Sequence, residues 1–248
     1  MEYICTPRKV SIYVNSAKKT RNQIKTELGC DAIINGGLYD LNTGRPACHL
    51  KVDGQVLASD PYTYFGFGWN TTDIRCITDY TNYSNYICCV CMVKDGQAQT
   101  MYYDANVGRA CARTAMGVMP NGDIWLYCTK TNLTPPQLQQ IALNAGVRDA
   151  IMLDGGASVQ CTTPTGTLLS SRYVHNYICV WDYNLTKPEE KTLVYNNLNE
   201  ILQNEPWAYE AVRYCVNRGL IPNSSTNLDL SWFDLRWMYA IYKKGGAA

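Results

Sequence analysis

The sequence predicts an α/β fold of the α+β kind, a mixed β-sheet with flanking helices followed by a small helical C-terminal unit. Three observations predict it. Two segments repeat one strand-helix-strand plan. Turn signals between them separate alternating stretches rich in Tyr, Val and Cys. Beyond about residue 204 the apolar residues recur at helical spacing.

KVSIYV (9–14) reads as a strand and SAKKTRNQIKTEL (16–28) as a helix stopped by Gly29. DAIIN (31–35) is a second strand that runs into Gly36-Gly37. The plan returns in the second half. DIWLYCT (123–129) reads as a strand. Thr134-Pro135-Pro136-Gln137 opens a helix with an N-cap threonine, a proline at the first helical position and a capping-box glutamine, and Gly146 closes it. DAIMLD (149–154) then runs into Gly155-Gly156. Each unit therefore delivers a polar residue, Asn35 or Asp154, at the end of an apolar strand just before two glycines. Glycines there allow sharp turns and close approach to a ligand, and α/β sheets place their sites at such strand ends.

Asp53-Gly54, Asp95-Gly96 and Asn121-Gly122 mark antiparallel hairpins between the two units. From Tyr183 the chain turns polar, with Pro188 and Glu189-Glu190. PWAYEAVRYCVNRGLI (206–221) then places Trp207, Ala211, Val212, Cys215 and Leu220 at helical spacing with Gly219 as its stop, and a second helix is expected at about 231–243. The expected division is residues 1–183 as the main domain, 184–203 as a linker and 204–248 as the helical unit.

With 248 residues, 46% hydrophobic and 17% charged, the chain can bury a substantial core. A formal charge of +1 without a Lys/Arg run argues against bulk nucleic acid as a partner. No stretch is apolar enough to span a membrane. The opening MEYICTPRKV has no apolar signal region, so the expected location is cytoplasmic at synthesis. That location favours free thiols for the twelve cysteines, many of which lie in strand-like segments as small hydrophobes. Cys88 and Cys91 form a C-x-x-C without a second pair, and the histidines are His49 and His175, so neither a metal nor a cofactor is expected. The sequons at Asn70, Asn82, Asn132, Asn184 and Asn223 are read as a by-product of a chain rich in Asn, Ser and Thr.

Four motifs occur in an informative order: Asn35-Gly36-Gly37-Leu38-Tyr39 followed by Asp40 and the Thr43-Gly44-Arg45-Pro46 turn; Arg113-Thr114-Ala115-Met116-Gly117; Leu153-Asp154-Gly155-Gly156-Ala157-Ser158; and Arg172-Tyr173-Val174-His175-Asn176. Through them residues 31–181 resemble the phosphodiester glycosidase family, whose members include uncovering-type N-acetylglucosaminidases acting on phosphodiester-linked glycans. Ala157 stands where the family has a third glycine, Val159 where a second serine is usual, Met152 where asparagine is frequent, and Leu38-Tyr39 replace two aromatics. The C-terminal stretch, through WAYEAVRYCVNRGLI and SWFDLRWMYAIYK, resembles a single S-layer-homology repeat without that family's usual sequence at the second helix.

The resemblance implies hydrolysis of a glycosyl phosphodiester, and the residue types suit it. Phosphate is a good leaving group, so guanidinium groups balancing its charge can replace an acid that protonates it. Arg113 and Arg172 are candidates for that task. A carboxylate must still activate water or attack the anomeric carbon, and Asp154 is the first candidate. Asn35 and Asn176 are candidates to orient sugar hydroxyls or phosphate. Gly36, Gly37, Thr114, Gly155, Gly156 and Ser158 are expected to line the substrate site, with Asp40 as a second carboxylate and His175 as an acid. The aromatic run 61–69 reads as an ordinary tyrosine-rich hairpin.

The expected function is cleavage of a sugar-phosphate bond in a bacterial cell-envelope glycopolymer, reached after lysis or as part of a phage particle, with the C-terminal unit holding a cell-wall polymer. Two alternatives remain open. One is cytosolic cleavage of a nucleotide or nucleotide-sugar signal. The other is a binding protein that sequesters such a ligand intact.

Overall fold

The computed structural model describes residues 1–59, 64–185 and 206–221, with isolated positions 199, 201, 203, 230, 235 and 238. Backbone contacts divide the chain into two compact units, Met1–Thr186 and Lys187–Ala248. Most of the expected 184–203 linker and of the expected helix at 231–243 lies outside the described residues, as do Asn223 and part of the 61–69 run.

The larger unit opens with β1 (Glu2–Cys5), β2 (Pro7–Val14), α1 (Arg21–Leu28) and β3 (Ala32–Asn35). A meander follows: β4 (Leu50–Val52), β5 (Gln55–Ala58), β6 (Gly66–Trp69), β7 (Arg75–Ile77), β8 (Asn85–Cys88), β9 (Val90–Lys94) and β10 (Gln97–Ala98). Then come α2 (Ala105–Gly108), β11 (Cys111–Val118), β12 (Ile124–Leu133), α3 (Pro135–Asn144) and β13 (Asp149–Met152). A single 3₁₀ turn at Gly156–Ser158 precedes β14 (Cys161–Thr163), β15 (Gly166–Leu168) and β16 (Asn176–Asp182).

Three antiparallel sheets result, in the orders β1-β12-β11-β13-β9-β10, β15-β14-β3-β16-β2 and β5-β4-β8-β6-β7. The α+β architecture holds, and the repeated strand-helix-strand plan takes a split form. β2 and β3 run parallel but never touch, because β16 pairs antiparallel with both. β12 and β13 likewise flank β11. β16 comes from the far end of the unit, which local periodicity cannot reveal, whereas β11 is the hairpin neighbour that precedes β12.

One core joins the three sheets: Ile12, Ile34 and Ile178 from the second sheet meet Met116, Leu126 and Ile151 from the first and Phe67, Trp69 and Ile87 from the third. Each of the first two sheets buries its other face under a helix. Ile33, Tyr177 and Cys179 pack with Ile24 of α1, while Ala115, Trp125 and Met152 pack with Leu138 and Ala142 of α3. β3 and β13 are thus buried on both faces, which is why DAIIN and DAIML read as continuous apolar runs. Each fully buried Ile or Leu contributes about 1.5–3 kcal/mol.

Local chemistry sets the element ends. α1 starts at Arg21, five residues later than the sequence pattern suggests, because Thr20 and Gln23 form a capping box and Lys18 takes a positive φ of 51°. Asn15 closes the preceding turn, its side chain both accepting from the Lys19 N–H at 2.8 Å and donating to the Lys19 carbonyl at 2.9 Å. Gly29 stops α1 at φ 60°. α3 begins at Pro135 after Thr134, whose N–H donates to Gln137 Oε1 at 2.8 Å. Asp53-Gly54 and Asp95-Gly96 both adopt positive φ, as two-residue hairpin turns require. β1 had no counterpart in the sequence reading; it forms the edge beside β12.

Among the described residues no cysteine is joined in a disulfide. Cys88 and Cys91 do not act together: the Cys88 thiol donates to the Phe65 carbonyl at 3.7 Å, and Cys91 bonds with Cys76. Among the described residues no group of three or more His, Cys, Asp or Glu is arranged to hold a metal, and no helix is long and apolar enough to cross a membrane.

In the smaller unit the helix Pro206–Asn217 buries Ala208, Ala211, Val212 and Cys215 with Ile201, Leu230, Leu235 and Met238. Gly219, at φ 67°, ends it in a Schellman arrangement in which the Leu220 N–H reaches the Cys215 carbonyl and the Gly219 N–H the Val216 carbonyl. Leu220 therefore leaves the apolar face and stands 55% exposed.

Candidate active site

The glycine-flanked ends of the two split units meet. The Asp154 N–H donates to the Gly36 carbonyl at 3.0 Å. The Asp154 carbonyl accepts from Asn35 Nδ2 at 2.8 Å and from Thr114 Oγ1 at 2.6 Å. Asn35 Nδ2 also donates to Thr114 Oγ1 at 3.1 Å, and Asn35 Oδ1 accepts the Gln160 N–H at 3.1 Å. The Asp154 backbone is thereby pinned from β3 and β11 at once. Asn35 and Thr114 are fully buried and committed to these bonds, so they hold the site without facing a ligand.

The Asp154 side chain remains half-buried. Its Oδ1 accepts the Gly155 N–H at 2.9 Å. Burial pushes its carboxyl above the ordinary aspartate range, while a hydrogen bond from Ser158, the Gly155 N–H, Arg172 and Arg113 oppose that rise without cancelling it. Arg172 Nη1 donates to Ser158 Oγ at 3.5 Å. Tyr39, absent from the sequence-derived site, joins the group: burial raises its phenol, a hydrogen bond with Ser158 lowers it, and it senses the charges of Asp154 and Arg172. Its hydroxyl also donates to the Tyr173 carbonyl at 2.9 Å. Its signal lay in the Asn35-Gly36-Gly37-Leu38-Tyr39 motif, of which only the residues before Leu38 are expected at the site.

Arg113 is placed differently from the expected phosphate fork. It is 2% exposed, with Nε on the Leu133 carbonyl at 2.9 Å and Nη2 shared between the carbonyls of Val107 at 2.8 Å and Arg109. Only Nη1 turns inward, 3.4 Å from Met152 Sδ. The guanidinium ties β11 to β12 and to α2, and its charge is the smallest of the effects that lower the Asp154 carboxyl. Asp40 is exposed; its Oδ1 accepts the N–H groups of Asn42 at 2.7 Å and Thr43 at 2.9 Å, which hold the carboxyl below its usual range. It forms a turn of its own and is not among the groups that act on the Asp154 carboxyl.

Asn176 braces the glycine pair. Its carbonyl accepts the Gly36 N–H at 2.9 Å and its Oδ1 the Gly37 N–H at 3.1 Å. Its Nδ2 lies 3.0 Å from His175 Nδ1. Because Nδ2 only donates, His175 Nδ1 is placed to accept from it, and burial lowers that imidazole's pKa. A Cβ on Gly36 would fall 1.7 Å from Asn176 Oδ1, and one on Gly155 would fall 2.8 Å from the Ala112 carbonyl, so both positions exclude side chains. Gly156 instead takes φ 59° to begin the 3₁₀ turn that carries Ser158.

Beside this group lies a cavity of 510 Å³ whose wall includes Gln160 and Arg172. Gln160 Nε2 donates to the Arg172 carbonyl at 2.8 Å, and its Oε1 accepts from the Tyr177 hydroxyl at 3.1 Å. These bonds fix the backbone from which the Arg172 guanidinium reaches Ser158.

The phosphodiester glycosidase family model matches residues 28–181. Among solved structures, the zebrafish N-acetylglucosamine-1-phosphodiester alpha-N-acetylglucosaminidase catalytic domain, auto-inhibited by its pro-peptide, superposes with a TM-score of 0.57. It is 19% identical, over 71% of this chain and 73% of that one. A hypothetical protein from Synechocystis gives 0.60 at 12% identity, over 73% of this chain and 58% of that one. These likenesses extend to the fold. No curated protein matches the chain.

Proposed function

Since the chain belongs to the phosphodiester glycosidase family and is a hydrolase of glycosyl phosphodiesters, we propose that Asp154 is its catalytic carboxylate and Arg172 the cation that receives the leaving phosphate. The observation that carries this reading is the Asp154 carboxyl itself, half-buried, raised by burial and met by Ser158, Gly155 and Arg172. A carboxylate so placed is basic enough to take a proton yet stays near a cation that accommodates departing negative charge. Asp154 takes the proton of a water attacking the anomeric carbon, or forms the bond to that carbon itself. The bond from the anomeric carbon to the phosphate oxygen breaks with its electron pair on the phosphate, beside Arg172. Ser158 and Tyr39 bridge the two groups, while Asn35, Thr114 and Asn176 hold the glycine turns in place. Arg113 supports the fold around them.

We further propose a bacterial cell-envelope glycopolymer as the substrate, with action at the envelope after lysis or within a phage particle. The resemblance of the C-terminal stretch to an S-layer-homology repeat supports this setting. The twelve cysteines, none joined in a disulfide among the described residues, support a second reading, cytosolic cleavage of a nucleotide or nucleotide-sugar signal. Incubation with glycosyl phosphodiesters, wall polymers and sugar-linked nucleotides, followed by mass spectrometry, separates these substrates. NMR of the released sugar's anomeric configuration separates water activation from direct attack. Return of every ligand unchanged, but bound, would establish sequestration in place of catalysis.

A further inference from the structure

We infer that the cavity beside Asp154 is a two-arginine phosphate pocket in which Arg21, at the start of α1, acts with Arg172. Arg21 lies outside the residues matched by the family model, and sequence motifs did not single it out. The inference rests on the glycosidase reading only for the identity of the ligand.

Arg21 lines the cavity together with Arg172, Ser170, Ser171 and Tyr173. It is 4% exposed. Nη1 donates to the Leu168 carbonyl at 2.8 Å and Nη2 to Asn22 Oδ1 at 3.0 Å, but Nε has no hydrogen-bond partner among the described residues. Burial disfavours its charge, and the groups acting against that effect are Cys161, Tyr177 and Cys128, none of them a carboxylate. Among the described residues, no Asp or Glu lines the cavity wall. Arginine cannot shed its proton to escape such a setting, so a buried guanidinium with an unused donor and no acid beside it calls for an anion from outside.

The surroundings specify which anion. Thr20, Arg21 and Asn22 are the cap and first residues of α1, where the backbone dipole favours negative charge. Ser171, Tyr173 and Arg172, residues whose side chains can donate, also line the cavity. A tetrahedral oxyanion with several acceptor oxygens matches this wall, and the link through Arg172 and Ser158 to Asp154 puts that phosphate on the leaving-group side of the scissile bond. The pocket holds the phosphate of the substrate and then the freed phosphate monoester. Its extra charge makes the product the tighter ligand, so product inhibition is expected.

The test uses the full chain and inorganic phosphate as the probe. Titration should shift the Arg21 Nε–H NMR resonance of the wild-type protein. Calorimetry should show Arg21→Gln weakening phosphate binding about ten-fold, as expected for one charge-assisted contact. Asp154→Asn should bind phosphate as the wild type does. An Arg21 Nε–H signal that ignores phosphate, or a folded Arg21→Gln variant with wild-type affinity, overturns the pocket. Turnover of a glycosyl phosphodiester with phosphate affinity independent of Arg21 overturns the pocket alone. Phosphate bound through Arg21 without turnover of any glycosyl phosphodiester overturns the assignment of Asp154 and leaves the pocket standing.

Discussion

Gly36 and Gly37 look equivalent in the chain, yet the structure predicts very different outcomes when each becomes alanine. A Cβ at Gly36 would sit 1.7 Å from Asn176 Oδ1, 2.8 Å from its Cγ and 3.1 Å from its carbonyl. The Asn176 side chain would have to rotate away, leaving the buried Gly37 N–H without its 3.1 Å acceptor. An orphaned buried donor costs about 1–3 kcal/mol and a displaced rotamer about 0.5–1.5 kcal/mol, so Gly36→Ala should lose roughly 2–4 kcal/mol. In a unit of this size each kcal/mol moves the melting temperature by about 2–4 °C, so the drop should be about 5–15 °C. At Gly37 the Cβ would meet the Cys88 carbonyl and Ile87 Cδ1 at an ordinary 3.6 Å, and Gly37→Ala should change stability by less than about 1 kcal/mol. Adding Asn176→Ala to Gly36→Ala should give less destabilisation than the sum of the single changes, because one substitution removes the clash the other creates. Thermal and denaturant unfolding of the wild type, the three single variants and the double variant measure these differences. Gly36→Ala melting within a degree of wild type, or strictly additive losses, would refute the argument.

Asp154→Asn should abolish turnover on a verified glycosyl phosphodiester while binding and folding survive, and kinetics alongside calorimetry check both. Because the folded Asp154 carboxyl lies above its ordinary value, its protonation favours the folded state. That contribution is complete below the ordinary aspartate range and is lost as pH rises through the raised value, so Asp154→Asn should gain stability relative to wild type on the alkaline side of that window. Activity that needs the ionised carboxylate should fall as pH drops through the same value, and Ser158→Ala, which removes an opposing hydrogen bond, should move this acid limb to higher pH. An unmoved limb in a folded Ser158→Ala protein would remove Ser158 from contact with the carboxylate. Arg113→Lys should act on stability more than on phosphate recognition, losing about 1–3 kcal/mol as a buried guanidinium's fitted bonds to three part-buried carbonyls are lost; wild-type stability with weakened phosphate affinity would reverse that assignment.

The repeated strand-helix-strand plan, the caps at Thr134 and Gly29, the Asp-Gly hairpins and the meeting of Asn35 with Asp154 were all legible in the sequence, because each rests on local backbone chemistry or on a motif of adjacent residues. Even the start of α1 was written there, in the Thr20 to Gln23 capping box, though the charged run before it obscured the signal. What the chain alone could not show is how separate segments interleave. β16 enters between β2 and β3 through pairings of distant residues, and β11, a hairpin neighbour of β12, reaches β13 through another such pairing. Tertiary packing also decided what each polar residue does. Arg113 and Arg172 read alike as guanidiniums in motifs, but three main-chain carbonyls take up the first, while the second is left to reach Ser158 beside Asp154. Arg21 carried no signal in the sequence, and only the closing of sheet and helix around it left a buried, unpartnered donor on a residue that lines a cavity. The sequence sets which groups are present and how each stretch folds locally; burial and the competition for hydrogen-bond partners, properties of the assembled core, determine which of those groups remain free for chemistry.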